Sequence, residues 1–254
     1  MAPRDDMITI RPHPDYHIEG GDLHLLVDKV RFRVHSYFFI RESSIFKDSL
    51  VSTTGKNETR NGSSDANALV LEQVTAEQFS QFLWVLYDPS FMRNNTEANW
   101  TTILDLAHRW KFHNVKTLAI TSLEKIDIDL IKRIALYEKY SVPVDILHVH
   151  YATLCARADP PTLDEVKILG DATSHMIFSI RENLLRSQKG VRAVDQFDKS
   201  VLLGSITSYF GVKEKGTASS VINASTQGGG PQPPKDPDPK KNKANGHGGN
   251  TRGS

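Results

Sequence analysis

Between Leu23 and Val34 the chain reads LHLLVDKVRFRV, and this stretch restricts the fold more than any other because its pairing can be worked out by counting. Asp28 and Lys29 separate two alternating runs, so a two-residue turn sets Val27 opposite Val30, Leu25 opposite Phe32 and Leu23 opposite Val34. Each of those pairs is apolar. The alternate positions pair His24 with Arg33, Leu26 with Arg31 and Asp22 with His35, which predicts a hairpin with one core face and one mostly wet face. A slip of one residue would bury the arginines.

After His35 the period changes. Tyr37, Phe38 and Ile40, then Ile45, Phe46 and Leu50, fit two short helices broken near Glu42, Ser43 and Ser44. The polar run from Val51 to Asn67 reads as a loop, and Ala68 to Leu71 as a short strand. Thr75 and Gln78 form a capping box ahead of a stripe at Phe79, Phe82, Leu83 and Leu86 that ends before Pro89. Two further stripes follow, Trp100 to Trp110 and Val115 to Ile126, the second with Asn114 as its expected cap.

The succession D-L-H-L-x-V, F-R-V-H, an aromatic run and S-x-I-F resembles the start of a BTB (POZ) domain, particularly the fungal type. The resemblance runs from about Asp15 to Ile126. It implies an α+β fold, in which a small sheet from the N-terminal hairpin plus a third strand packs with about five helices. Around it we expect a flexible arm at residues 1–14, since Pro12 and Pro14 interrupt the segment up to Tyr16, and an all-helical extension at 127–212. That extension carries stripes at Leu130–Tyr137, Ile146–Leu154, Met176–Leu185 and Val194–Tyr209, with Asp127 or Asp129 as a cap and a capping box at Thr162 and Glu165. Residues 213–254, rich in Gly, Pro and Lys, read as a disordered tail.

What the resemblance implies for function is a non-enzymatic protein-interaction module. It would self-associate as a homodimer and recruit another protein, either a cullin-type ubiquitin-ligase scaffold or a transcriptional co-regulator. Tyr37, Phe38, Phe39 and Ile40 are then the expected dimer face, being too apolar for one short helix to bury wholly within its own domain. Asp22, His35 and Ser36 stand where transcriptional members of the family have a charged pocket. Ser36 replaces the usual basic residue, so the pocket is expected to lack a permanent cation and to rely on a hydrogen bond from His35 or Ser36.

Composition narrows the alternatives. With 31 basic and 30 acidic residues, the formal charge of +1 gives no global attraction to nucleic acid or to an anionic membrane. The lone Cys155 makes no internal disulfide, no apolar leader opens the chain, and no run approaches a membrane span, so a cytoplasmic or nuclear location is expected. The histidines lack metal-ligand spacing: His148 and His150 are two apart on a predicted helix, and Pro14 separates His13 from His17. Neither a metal nor another cofactor is expected. The rival reading is a small helical enzyme using His148 with Cys155, or the region of Asp127, and a cleft gathering those residues would favour it.

Overall fold

The structure, a computed structural model, describes residues 10–51, 60–88, 95–187 and 198–218. Among these, β1 (Arg11–His17), β2 (Leu23–Val27), β3 (Val30–Val34) and β4 (Leu69–Leu71) form one sheet in the order β1-β3-β2-β4. The hairpin has the expected register, with Leu23 opposite Val34, Leu25 opposite Phe32 and Val27 opposite Val30. Asp28 and Lys29 make its turn with φ of 46° and 63°. Positive φ at both central residues matches the twist of the strands, although side chains make it cost roughly 1–2 kcal/mol per residue. The short strand expected near Ala68 is β4, parallel to β2.

The arm expected to be loose through Tyr16 is instead ordered from Arg11 as β1, parallel to β3 at the sheet edge. Prolines are tolerated there because the missing donors face no neighbour. A side chain completes the pairing: the His13 ring stacks on Phe32 with centroids 4.7 Å apart. Its Nδ1 accepts from the backbone N–H groups of Asp15 and Tyr16 at 3.1 and 3.2 Å.

Two short helices, α1 (Ser36–Glu42) and α2 (Ser44–Val51), meet at Ser43, where the sequence placed a break. Buried Ser43 donates through Oγ to the Trp110 carbonyl at 2.5 Å and accepts from the N–H of Phe46 at 3.1 Å. The break is thereby tied to the turn between α4 (Glu97–Arg109) and α5 (His113–Leu123). Phe39, Phe46, Phe79, Phe82, Trp110 and Phe112 interlock around it edge to face. The third helix, α3 (Ala76–Tyr87), has the predicted capping box at Thr75 and Gln78. Thr96 and Asn99 form an equivalent box on α4. Asn114 does not cap α5, whose N-cap is Phe112; its side chain donates to Glu42 at 2.6 Å instead.

The helices beyond are α6 (Leu130–Lys139), α7 (Val144–Cys155), α8 (Leu163–Ser187) and α9 (Lys199–Ala218). Asp129 caps α6 by accepting from Lys132 N–H at 3.1 Å, and the Thr162–Glu165 box opens α8. Gly170, with φ of 76°, kinks α8. The first compact unit is Met1–Phe210 and the second Gly211–Ser254, so α6 to α8 share one unit with the sheet. The helix α9 runs past the expected boundary at 212, whereas Val194, Phe197 and the tail from 219 lie outside the described residues.

Helix C-termini leave carbonyls without intrahelical donors, and here buried arginines from later helices supply them. Arg133 on α6 donates to the carbonyls of Leu123 and Ile126 at 3.0 and 2.7 Å and to Glu124 Oε1 at 2.9 Å. Tyr137 and His150 meet the same carboxylate oxygen at 2.5 and 3.1 Å. Burial acts to raise the Glu124 carboxyl, but Tyr137, His150 and Arg133 together hold it below its usual range. Likewise Arg181 on α8 donates to the carbonyls of Cys155, the last residue of α7, and of Arg157 and Ala158 just beyond it. Among the described residues, no helix is long and apolar enough to cross a membrane.

Candidate interaction surface

Helix α1 has a 3.6-residue period on a seven-residue span, so its consecutive apolar residues cannot all face the same way. Phe39 points inward and is fully buried, packed on Phe46 and Phe112 with ring centroids 5.0 and 5.8 Å apart. It is therefore removed from the expected dimer face. Tyr37 points outward and is 61% exposed, while Phe38 and Ile40 are half-buried at the margin of the core.

Arg41 organises the outer side of α1. Its guanidinium lies over the Tyr37 ring at 4.9 Å and the Phe38 ring at 5.7 Å, and donates to Tyr37 Oη at 3.1 Å and Glu42 Oε1 at 2.7 Å. Next to it, α1, α3 and α5 enclose a groove of about 180 Å³. Phe38, Val85, Leu86, Val115 and Leu118 provide apolar walls, and Arg41, Glu42 and Asn114 form a polar rim. An apolar floor with paired polar groups at its edge is the arrangement of a protein contact surface, in which apolar burial supplies attraction and the rim supplies orientation.

Of the two donors offered for Asp22, Ser36 reaches the carboxylate and His35 does not. The N-cap residue of α1, His35, makes no side-chain cap, so the helix start needs an acceptor from elsewhere. Asp22 provides it across the hairpin. Its Oδ1 accepts from Ser36 N–H at 2.7 Å and its Oδ2 from Ser36 Oγ at 2.6 Å. His35 turns away, its backbone N–H donating to Tyr87 Oη at 2.8 Å and its Nδ1 lying 3.1 Å from the same oxygen.

One expectation is corrected here. Asp22 has a permanent cation, because Arg60 Nη2 reaches its carbonyl at 2.7 Å and its Oδ2 at 3.3 Å. The carboxylate is exposed, at 54% for its side chain. Partial desolvation acts to raise its pKa, but the hydrogen bonds from Ser36 and the charge of Arg60 outweigh this and hold it below 3.8. The stabilisation that follows is present above pH 3.8 and is lost as pH falls through the lower folded value. Replacing Ser36 with alanine is expected to move the Asp22 titration upward toward 3.8, as read by NMR of the carboxyl carbon. An unmoved titration would show that the backbone N–H at position 36 and Arg60 set it without the hydroxyl.

The residues of the rival enzyme reading are placed apart from this surface. Cys155 is fully buried at the end of α7, and burial pushes its thiol up to about 12, which leaves almost no thiolate at neutral pH. His148 packs against Phe210 with the rings tilted and their centroids 4.8 Å apart. Asp127 precedes α6, where Asp129 rather than Asp127 is the cap. Among the described residues, no group of three or more His, Cys, Asp or Glu side chains is arranged to hold a metal ion.

Sequence reasoning missed Arg60 and Tyr87 as members of this site. Arg60 is 38 residues from Asp22 and at the end of a polar loop, so no local pattern marks it. Tyr87 is the last residue of α3, and its hydroxyl contact to His35 spans 52 residues. Residues 17–127 match the family model of the BTB/POZ domain. No curated protein matches the chain.

Proposed function

We propose, from the premise that residues 17–127 are a BTB/POZ domain and that this family serves protein–protein interaction, that the chain is a non-enzymatic module that pairs with a second copy of itself. The observation that carries this reading is the outer side of α1, where Tyr37 stands 61% exposed beside the groove of Phe38, Val85, Leu86, Val115 and Leu118. Such a surface loses apolar area to water unless something covers it, and a two-fold pairing of α1 with its counterpart covers both copies at once. Phe38 and Ile40 contribute from the margin, and Phe39 contributes only by holding α1 to its own core.

Recruitment of a further protein, a cullin-type scaffold or a transcriptional co-regulator, is the second half of this reading and starts from the family. The Asp22, Ser36 and Arg60 cluster supports the co-regulator branch, since it places a cation and an exposed carboxylate side by side at the start of α1. Sedimentation velocity of the purified chain tests self-association. The expected result is a sedimentation coefficient that rises with concentration through the micromolar range to that of a dimer. A monomer throughout would refute the pairing.

A further inference from the structure

The solvent face of the sheet carries basic residues in a row. The register sets His17 and His24 on either side of Arg33, and Arg31 lies on the same face two residues back along β3. Basic side chains directly opposite one another on neighbouring strands destabilise a sheet unless an anion lies between them. One anion is already present. Asp65, from a short 3-10 helix at Asp65–Asn67, accepts from Arg31 Nη1 at 2.9 Å and lies 2.7 Å from His24 Nδ1. Arg33 has no such partner among the described residues; its Nε donates to the Gly21 carbonyl at 2.8 Å, which fixes the guanidinium on this face.

We propose that this face is a binding surface for a polypeptide segment with anionic side chains, carboxylate or phosphate, held by Arg33, Arg31, His17 and His24. Asp65 shows the mode, since a carboxylate from the chain itself is held there by an arginine and a histidine. A second anion takes the equivalent place on Arg33, where charge-assisted, bidentate hydrogen bonds are available. The adjoining row gives the ligand its other requirement. Leu26 lies opposite Val70 on the same face, and Val70 is 57% exposed, so an apolar side chain next to the anionic one is favoured. Nucleic acid fits less well: the outward positions of β2, β3 and β4 are His24, Leu26, Arg31, Arg33 and Val70, with no phenylalanine, tyrosine or tryptophan ring among them to make a stacking platform for bases.

The surface is separate from α1, so its test is independent of self-association. Fluorescence anisotropy of the full chain would be measured with a labelled peptide of alternating Glu and Val, the same peptide with phosphoserine for Glu, a Gln/Val control, and a thymidine oligonucleotide of equal charge. Both anionic peptides are expected to bind and the control to fail. Arg33→Gln is expected to weaken binding about tenfold. Asp65→Asn, which removes the internal competitor, is expected to tighten it several-fold, so the proposal stays testable even where Arg33→Gln disturbs the sheet. Equal binding of the control, tighter binding of the oligonucleotide, no binding of either anionic peptide, or no gain in Asp65→Asn would each overturn it.

Discussion

Replacing Arg133 with alanine is expected to destabilise the protein by about 3 kcal/mol and to lower its melting temperature by roughly 10 °C. The side chain is 9% exposed and donates to two carbonyls and a carboxylate at the junction between α5 and α6. Its loss takes this donor from the Ile126 carbonyl, leaves the Leu123 carbonyl with only the Ile126 N–H at 3.1 Å, and removes the cation beside Glu124, and a buried group left unpaired costs about 1–3 kcal/mol. Glu124 is 37% exposed, so water offsets part of its loss, which is why the figure sits at the low end for a broken buried pair. Arg133→Met separates the causes, because it keeps most of the apolar stem. Scanning calorimetry of both variants checks this. Melting within about 2 °C of the parent would mean that the junction is held by apolar packing alone.

The second large effect divides α1 into two functions. Phe39→Ala empties a fully buried site between Phe46 and Phe112 and is expected to cost about 3–5 kcal/mol. Tyr37→Asp changes a residue that is 61% exposed and is expected to alter stability by no more than about 0.5 kcal/mol, while abolishing self-association. Urea denaturation and sedimentation of the two variants, side by side, read both outcomes. A Tyr37→Asp protein that still dimerises would place the contact elsewhere, and a Phe39→Ala protein of parental stability would mean that the aromatic core is not packed as described.

The contrast between these two neighbours shows what the sequence could reveal. Inward and outward positions of β2 and β3 follow from a strict period of two and a turn that can be counted, so the register was readable without a structure. Across Tyr37, Phe38, Phe39 and Ile40 no such alternation exists, and a run of apolar residues does not say which one faces the core. The needed signal was the spacing of Ser36 and Phe39, the two buried residues of α1, one helical turn apart. Prolines made β1 read as an arm, because only its edge position, set by tertiary pairing, makes Pro12 and Pro14 acceptable.

At Asp22 the reading was limited for another reason. Hairpin register brings Asp22 near His35, and Ser36 follows by adjacency, so their meeting was accessible from the sequence. The cation was not. Arg60 stands in a polar stretch of sequence that no periodicity marks, and the missing basic residue at position 36 suggested a less cationic pocket than the one observed. Long-range polar contacts of this kind are set by where loops end rather than by the pattern within them.

Hydrogen–deuterium exchange of the full chain at low and high protein concentration tests the pairing surface most directly, because it reports every segment in one measurement. Slower exchange at high concentration is predicted for peptides covering Ser36–Glu42 and those containing Val85, Leu86, Val115 and Leu118, with exchange in β1 to β3 and in α6 to α8 unchanged. Concentration-dependent protection confined to α6 to α8, or absent throughout, would contradict self-association through α1.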